Sequence, residues 1–393
     1  MNRAGLSVIL AVLVACSQVS PQEPVVGGAV SLPRVGKNTS ACSAILEFDG
    51  ADGATPAAGL VLRDQLFYGT TAGGGYGHGT LFSVTPSGQE TVVHDFYQEG
   101  DQPHSTVTVL GKKLYGTTAY GGTSGQGTVF AIKTNGKVLW TYNFKGDPGK
   151  DGDLPMGAPI DVNGILYGTT ANGSTGNSGV VYQITPTGVE HVIFRFNGTQ
   201  GRMPYGNLIA FHGALWGTTE QGGLDFGTVF SITTAGKLTT VYKFKGASQS
   251  DGWNPYAGLV ELHGTLYGTT AYGGANNTGT VFSITATGQE SVIHSFGASS
   301  SRDGAHPMSA LFVYNGNLYG TTLDGGPHND GTVFAVTPSG AEQLLCSFDK
   351  SGSGLAYPSG SVVELDGRLY GTTEFGGPYN SGGVFSISPG PRS

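Results

Sequence analysis

Two glutamates, Glu220 and Glu374, combine a residue type and a spacing that could do chemistry. Each directly follows a Thr-Thr pair, where the five other copies of that motif carry alanine or leucine. Paired carboxylates at close range act as general acid and base or bind a cation. The two copies are three steps apart among seven, so in a ring they lie nearly opposite each other. That span argues against a shared role, and we keep acid–base or cation chemistry as an alternative hypothesis.

Aromatic residues near the same motif indicate a binding surface. Tyr120, Tyr272 and Asp324 each lie two positions after a Thr-Thr pair, and Tyr256 follows a proline that precedes the motif. Tyrosines around a polar cleft suit a sugar or a peptide, because each offers a rigid apolar face and a hydroxyl. Rim side chains that only face solvent are the other interpretation. The candidate ligand-binding residues are Tyr120, Glu220, Tyr256, Tyr272, Asp324 and Glu374.

The chain lacks the short motifs of nucleophilic, zinc and phosphate chemistry. It contains no His-Glu-x-x-His, Cys-x-x-Cys, phosphate loop or Gly-x-Ser-x-Gly elbow. Asp-Gly pairs recur before the prolines without the spacing of an EF-hand, and we interpret them as turns. We predict no cofactor, and the sequence leaves open whether a metal is bound. The Asp-Gly pairs begin at Asp52, Asp151, Asp251 and Asp303.

Composition limits the class of protein. Glycine makes up 68 of 393 residues and charged residues only 12%, where about 25% charged is typical. Such a chain favours short strands joined by tight turns. The net charge of −8 comes without any run of Lys or Arg, so nucleic acid is not an expected partner.

Seven copies of one repeat must position the candidate residues. The motif Tyr-Gly-Thr-Thr recurs seven times, with Trp216 replacing the tyrosine once. A proline precedes the motif glycine by 13 positions in every copy, from Pro56 and Gly69 to Pro358 and Gly371. Successive glycines are 47 to 52 residues apart, so all length variation falls between a glycine and the next proline. A fixed frame with variable loops is where binding sites concentrate.

Each copy carries four short apolar runs separated by turn signals, which predicts a four-stranded antiparallel sheet. One such sheet has two apolar faces to bury, and seven sheets around an axis bury each face against a neighbour. The run at residues 44–48 matches the fourth strand of a copy, whereas the seventh copy ends after its third. We therefore predict an all-β, seven-bladed β-propeller over residues 44–389, closed by the N-terminal strand in the last blade.

The N-terminus has the features of an export signal. Arg3 precedes an apolar run over residues 4–14 that is too short to span a bilayer. The run ends in Leu-Val-Ala-Cys16, which resembles a bacterial lipobox. We expect a signal peptide over 1–15, a lipidated Cys16 and flexible tether over 16–41, and the propeller over 42–393. Lipid would anchor the protein to the bacterial cell envelope, at the outer membrane or the cell surface.

Two further cysteines, Cys42 and Cys346, lie outside the repeat pattern. An exported protein can form disulfides, so a bond between the two stays open. Cys346 falls within a predicted strand, where a buried thiol packs well. We expect it to be free.

At Leu-Tyr-Gly-Thr-Thr, a Gly-Gly pair and Gly-Thr-Val-Phe, the chain resembles the bacterial GloVer (Gloeo-Verruco) tandem-repeat family. The resemblance covers nearly all of residues 44–389. It implies an exported protein of a group with differing anchors, and it brings no catalytic residues. Copy three departs from the pattern at Asn172-Gly173-Ser174 and at Val180. We therefore expect the loop between its second and third strands, on what we call the upper side of the ring, to differ in shape.

Three functions fit these observations. The first is a membrane-anchored, monomeric binding scaffold without enzymatic activity, for a glycan or a protein ligand. The alternative is an envelope hydrolase, lyase or lactonase with an acidic or metal site on the propeller axis. The third is a purely structural envelope protein.

Overall fold

Each repeat folds into one antiparallel sheet, whose strands we label A to D in chain order. The computed structural model describes residues 42–146, 151–174, 176–297, 303–351 and 354–388. Within these ranges seven four-stranded sheets form the blades of a seven-bladed β-propeller, which confirms the predicted fold. The A strands lie innermost, where those of neighbouring blades contact each other, and the D strands lie outermost.

The strands follow the repeats in order. The first blade contains β2 (Val61–Arg63), β3 (Leu66–Thr71), β4 (Thr80–Val84) and β5 (Glu90–Asp95). The second contains β6 (Thr108–Leu110), β7 (Lys113–Thr118), β8 (Thr128–Lys133) and β9 (Val138–Asn143). The third contains β10 (Ile160–Val162), β11 (Ile165–Thr170), β12 (Val180–Ile184) and β13 (Glu190–Arg195). The fourth blade contains β14 (Ile209–Phe211), β15 (Ala214–Thr219), β16 (Thr228–Ile232) and β17 (Leu238–Lys243). A short 3₁₀ helix follows at Ala247–Gln249.

The last three blades also contain a two-residue ladder above the main sheet. The fifth has β18 (Gly252–Trp253), β19 (Val260–Leu262), β20 (Thr265–Thr270), β21 (Tyr272–Gly273), β22 (Thr280–Ile284) and β23 (Glu290–Ser295). The sixth has β24 (Gly304–Ala305), β25 (Phe312–Tyr314), β26 (Asn317–Thr322), β27 (Asp324–Gly325), β28 (Thr332–Val336) and β29 (Glu342–Ser347). The seventh has β30 (Leu355–Ala356), β31 (Val363–Leu365), β32 (Arg368–Thr373), β33 (Phe375–Gly376), β34 (Gly383–Ile387) and the N-terminal β1 (Ser43–Glu47). No helix within the described ranges is long and apolar enough to cross a bilayer.

Strand β1 belongs to the last sheet rather than to the first. It pairs antiparallel with β34, with Ser43 opposite Ser386, and gives this sheet the order β1–β34–β32–β31. The seventh blade contacts the first, because the Thr372 hydroxyl donates a hydrogen bond to the Ala58 carbonyl at 2.6 Å. The start and the end of the repeat region therefore share one sheet.

One aromatic pair packs at each of the seven interfaces between blades. The ring of Phe244, which follows strand D of blade four, lies 5.1 Å from the Phe282 ring of blade five, edge to face. A Cβ added to the motif glycine Gly268 would lie 2.7 Å from Phe282 Cζ, so this ring explains why the motif needs glycine. The equivalent pairs are Phe48–Phe82, Phe96–Phe130, Phe144–Tyr182, Phe196–Phe230, Phe296–Phe334 and Phe348–Phe385.

The two motif threonines hold the ring together in different ways. The first donates its hydroxyl to a carbonyl of the next blade, as Thr269 does to Ser309 at 3.0 Å, and five other blades repeat this bond. In six blades the second bonds within its own blade, as Thr270 does to the Tyr272 carbonyl. The hydroxyl of Thr373 in blade seven has no hydrogen-bond partner among the described residues. The motif thus supplies both the joint between blades and the fastening of the upper loop.

The third blade departs from the others in its core. Val180 replaces the threonine that would bond to Thr170, and Tyr182 replaces a phenylalanine. The Tyr182 hydroxyl is fully buried and has no hydrogen-bond partner among the described residues. The loop keeps the bridge between Asp153 and Asn172 that the other blades form at equivalent positions. The prediction of a different shape concerns the whole loop, of which residue 175 lies outside the described residues, and it stays a prediction.

We expect the substitution Tyr182→Phe to raise the free energy of unfolding by about 1 kcal/mol, because an unpaired hydroxyl no longer has to be buried. Six other blades carry phenylalanine at this position, so the cavity is shaped for that ring. Urea denaturation of both proteins measures the difference. Phe230→Tyr is the matched control and should destabilise the protein, and equal midpoints for all three proteins would contradict the prediction.

The outer edges of neighbouring blades meet at what we call the outer seam. There the second-to-last residue of one strand D faces the start of strand D in the next blade. Between blades two and three, the Tyr142 hydroxyl donates a hydrogen bond to the carboxyl group of Asp151 and lies 3.1 Å from that of Glu190. Blades four and five repeat this arrangement with Tyr242, Asp251 and Glu290.

The outer seam between blades six and seven is closed by a disulfide. Cys346 occupies the same register position as Tyr142, and Cys42 lies just before β1 at the position of Glu190. The two cysteines are bonded, with their Cα atoms 5.8 Å apart. Our expectation of a free thiol at Cys346 was wrong, because β1 completes blade seven and thereby places Cys42 against blade six.

The carboxyl groups of the outer seam make stability depend on pH. Burial raises the pKa of Glu190 and of Glu290 to about 7 from an ordinary 4.5, the neighbouring aspartates add to this, and the tyrosine hydrogen bonds and nearby Lys145, Arg195 and Lys245 oppose it. Between pH 4.5 and 7 the folded protein therefore binds more protons than the unfolded chain, so stability falls as the pH rises.

We expect the free energy of unfolding to be higher at pH 5 than at pH 7.5, by roughly 1 kcal/mol per group after allowance for solvent screening. Thermal melts should therefore show a higher Tm at pH 5. The double variant Glu190→Gln, Glu290→Gln should have a flatter pH profile between these values. An identical profile in the variant would show that other groups cause the dependence.

Candidate functional site

A backbone clamp holds the upper face, which we define as the face formed by the loops from strand D to A and from B to C. The residue before each repeat proline has φ between 54° and 59°, a left-handed conformation uncommon outside glycine. Asn254 shows how it is held: its N–H donates to the Phe226 carbonyl of the preceding blade, and its carbonyl accepts the N–H of Ala271. All seven blades repeat both bonds, at Thr55, Gln102, Leu154, Met203, Asn254, His306 and Tyr357.

The clamp fixes the backbone and leaves the side chains free to vary. In each blade the residue before the clamp pairs with the residue two positions after Thr-Thr, as Trp253 pairs with Tyr272 and Ala305 with Asp324. Elsewhere these pairs are Ala54–Gly73, Asp101–Tyr120, Asp153–Asn172, Arg202–Gln221 and Ala356–Phe375. A seven-fold frame therefore presents a set of side chains that has no seven-fold symmetry.

The residues after the repeat prolines line a narrow cavity on the axis. Its volume is about 140 Å³, well below the roughly 300 Å³ at which ligand pockets begin. A ligand larger than a few atoms therefore does not fit inside this cavity. The lining residues at these positions are Ala57, His104, Met156, Tyr205, Tyr256, Met308 and Ser359.

Glu220 is the centre of a hydrogen-bond network at the mouth of this cavity. The side chain is buried, and its Oε1 accepts from Tyr256 Oη at 3.0 Å, Asn254 Nδ2 at 3.1 Å and Gln221 Nε2 at 3.2 Å. The Tyr205 ring lies 5.5 Å from the Tyr256 ring. Burial, and then the Glu220 carboxylate, raise the pKa of Tyr205 to about 12. Both tyrosines therefore keep their hydroxyl hydrogens at neutral pH.

A row of contacting rings continues from this network across blades five and six. Trp253 stacks on Tyr272 with ring centres 4.7 Å apart and an angle of 29° between the planes. Tyr272 meets the edge of His306 at 5.0 Å, and His306 Nδ1 lies 3.0 Å from the Asp324 carboxylate. Asn254 follows Trp253 directly in the chain, and Tyr256 follows after Pro255, so the two groups are continuous. We call the whole set, Glu220, Trp253, Asn254, Tyr256, Tyr272, His306 and Asp324, the upper arc.

Two of the predicted site residues lie outside the upper arc. Tyr120 in blade two is 45% exposed, with its backbone paired to Asp101. Glu374 in blade seven is half-buried, and burial raises its pKa. No hydrogen bond or ion pair between Glu374 and Glu220 occurs in the described part of the chain. The structure therefore brings four of the six predicted residues, Glu220, Tyr256, Tyr272 and Asp324, into one connected set.

Three members of the upper arc were not predicted from the sequence. Trp253 follows an Asp-Gly pair that we interpreted only as a turn, and Asn254 and His306 each lie directly before a repeat proline. The signal was available, because Trp253 is one of three tryptophans and both positions vary between copies. The backbone clamp places these positions beside the residues that follow Thr-Thr. This pairing could not be read from the sequence.

The family model of the Gloeobacter/Verrucomicrobia repeat matches residues 26–225 and 154–385 of this chain. The comparison of this chain with curated proteins found no match.

Three solved structures are similar to this chain at low sequence identity. The quinohemoprotein alcohol dehydrogenase from Comamonas testosteroni is 12% identical, with a TM-score of 0.50 over 88% of this chain and 69% of that one. A putative 6-phosphogluconolactonase from Bacteroides uniformis is 13% identical, with a TM-score of 0.47 over 77% and 85% of the two chains. The tricorn protease is 10% identical, with a TM-score of 0.44 over 85% and 35%. The similarity to the alcohol dehydrogenase concerns the fold alone.

Proposed function

This chain belongs to the Gloeobacter/Verrucomicrobia repeat family, and we propose that it is an exported, lipid-anchored propeller that binds a carbohydrate on its upper face. The upper arc is the observation that carries this proposal. In the upper arc the seven-fold frame presents a connected set of aromatic and hydrogen-bonding side chains that the other blades do not repeat. Repeated residues build the ring, whereas a site for one ligand has to differ between blades.

The composition of the upper arc suits a sugar. Flat rings such as Trp253 and Tyr272 can cover the apolar C–H face of a pyranose while their polar edges stay hydrated. The amide of Asn254 and the pair of His306 and Asp324 supply donors and acceptors for hydroxyl groups around that face. A shallow surface of this kind binds an oligosaccharide lying across it, in keeping with the small size of the axial cavity.

The hydrogen bonds of Glu220 support a role in positioning its neighbours. The buried carboxylate accepts hydrogen bonds from three side chains at Oε1, which fixes the side chains of Tyr256 and Asn254. Glu220 therefore acts as the anchor that orients Tyr256 and Asn254 towards a ligand.

The experiment that tests the proposed ligand class is a glycan array probed with the purified full chain, followed by calorimetric titration of the glycans retained. We expect saturable binding of one oligosaccharide class, and weaker binding after Tyr256→Phe, because the hydroxyl that Glu220 positions is lost. A screen of envelope proteins run in parallel covers the other partner class. Retention of a protein in place of any glycan would overturn the proposed ligand.

The anchoring part of the proposal depends on Cys16, which lies outside the described residues. Each buried lipid CH₂ contributes about 0.8 kcal/mol, so several acyl chains hold a protein at a membrane. We expect Cys16→Ser to move most of the protein from the membrane fraction to the soluble fraction after cell lysis. Immunoblots of the two fractions measure the shift, and mass spectrometry of the mature N-terminus detects the lipid. An unchanged membrane fraction would contradict the anchor.

A further inference from the structure

The outer seam between blades five and six brings three possible metal-ligand atoms together. Between blades five and six, His294 replaces the tyrosine found at Tyr142 and Tyr242, while the two carboxyl groups are kept as Asp303 and Glu342. One ligand atom from each of these three residues lies within 4.8 Å of the other two. The same scaffold therefore carries a hydroxyl between two carboxyl groups in two seams and an imidazole in this one.

The imidazole of His294 does not form the hydrogen bonds to carboxyl groups that Tyr142 and Tyr242 form in their seams. His294 Nε2 is shielded from solvent and has no hydrogen-bond partner among the described residues. Its nearest carboxylate oxygen, on Asp303, lies 3.8 Å away, which is beyond hydrogen-bond range. The side chains of His294 and Asp303 are only 16% and 9% exposed, and a buried nitrogen without a partner costs about 1–3 kcal/mol.

The spacing that is too long for a hydrogen bond suits a shared ion. Ligand atoms that bind one metal at about 2.1 Å lie roughly 3 to 4 Å from each other, so small side-chain rotations would bring all three into range. The orientation of His294 is already restrained, because its ring packs edge-on against Phe296 at 4.7 Å. We propose that His294, Asp303 and Glu342 bind a divalent transition-metal ion of the Zn²⁺ class.

The ligand set indicates the kind of ion. Ca²⁺ and Mg²⁺ prefer oxygen ligands alone, whereas an imidazole nitrogen with carboxylate oxygens suits first-row transition metals. Three protein ligands leave one position for water. At this place in the ring the ion would cross-link strand D of blade five to strand D of blade six. It would do at this seam what the disulfide does at the next one.

Calorimetric titration of Zn²⁺ into the metal-free full chain tests the site. His294→Tyr is the matched variant, because it recreates the seams of Tyr142 and Tyr242 and should therefore fold. We expect the wild type to bind one more Zn²⁺ than this variant at the concentrations titrated. The variant's affinity for zinc at this seam should be at least 100-fold lower than that of the wild type. Equal stoichiometry and affinity in the two proteins, or no binding by the wild type, would overturn the proposal.

The reverse substitution gives an independent test that does not rely on losing a function. Tyr242→His places an imidazole between Asp251 and Glu290, the equivalent carboxyl groups of the seam between blades four and five. We expect this variant to bind one Zn²⁺ more than the wild type, with a Tm that rises when zinc is added. If His294→Tyr fails to fold, this variant decides, and the absence of any added zinc binding would overturn the proposal.

Discussion

The double variant Cys42→Ala, Cys346→Ala is expected to lose about 4 kcal/mol of unfolding free energy. The disulfide joins residues separated by 304 positions, and the loop-entropy contribution of a disulfide grows with the length of the chain it closes, to about 4.7 kcal/mol for 100 residues. Measured effects are usually smaller, about 2–4 kcal/mol. The bond also holds the start of β1, the strand that completes blade seven, against blade six.

Guanidinium denaturation of the wild type and the double variant measures this loss. Treatment of the wild type with a strong reductant should lower its midpoint to that of the variant, whereas the variant should not respond. Cys346 is completely buried, so alanine leaves only a small cavity and is the suitable replacement. A difference below about 1 kcal/mol would contradict the assigned contribution of the bond.

The second large effect concerns the upper arc. Trp253→Ala is expected to weaken binding of the glycan about 30-fold, which corresponds to about 2 kcal/mol, the usual loss at the centre of a binding surface. The indole stacks on Tyr272 and donates from Nε1 to the Asn277 side chain at 2.9 Å. Its removal therefore takes away an apolar platform and also loosens the neighbouring ring.

The matched control for Trp253→Ala is Tyr76→Ala. Tyr76 is 74% exposed on the upper loop of blade one and contacts Tyr97, away from the upper arc. We expect it to bind the glycan as the wild type does. Equal losses in the two variants would mean that exposed aromatic residues anywhere on the face contribute, and the upper arc would not be the site.

The fold was predictable because its information is local and repeated. Each blade is specified by its own turns, by a motif glycine that admits a phenylalanine ring, and by apolar runs of strand length. The constant spacing of 13 residues separates the repeat proline from that glycine, and the structure shows its cause: the residue before the proline is bonded to the residue after Thr-Thr in every blade. An insertion between them would break this clamp.

The relations between blades were less predictable, because they join residues that are distant in sequence. Asp251 illustrates this. Its carboxylate accepts the Lys245 N–H, as expected of a loop aspartate, yet it also bonds to Tyr242 and faces Glu290 of the next blade. The disulfide and the His294 seam arise in the same way, from one strand D beside the next. An alignment of the repeat copies shows which positions are equivalent in the blades. It does not show which residues of one blade face which residues of the next.

The most direct test of the account is a crystal structure of the full chain with the retained oligosaccharide bound. We predict that a sugar ring lies against Trp253 or Tyr272, with hydroxyl groups within hydrogen-bond distance of Asn254, Tyr256 or Asp324. A sugar bound only on the opposite face of the ring, or at its outer edge, would contradict the account.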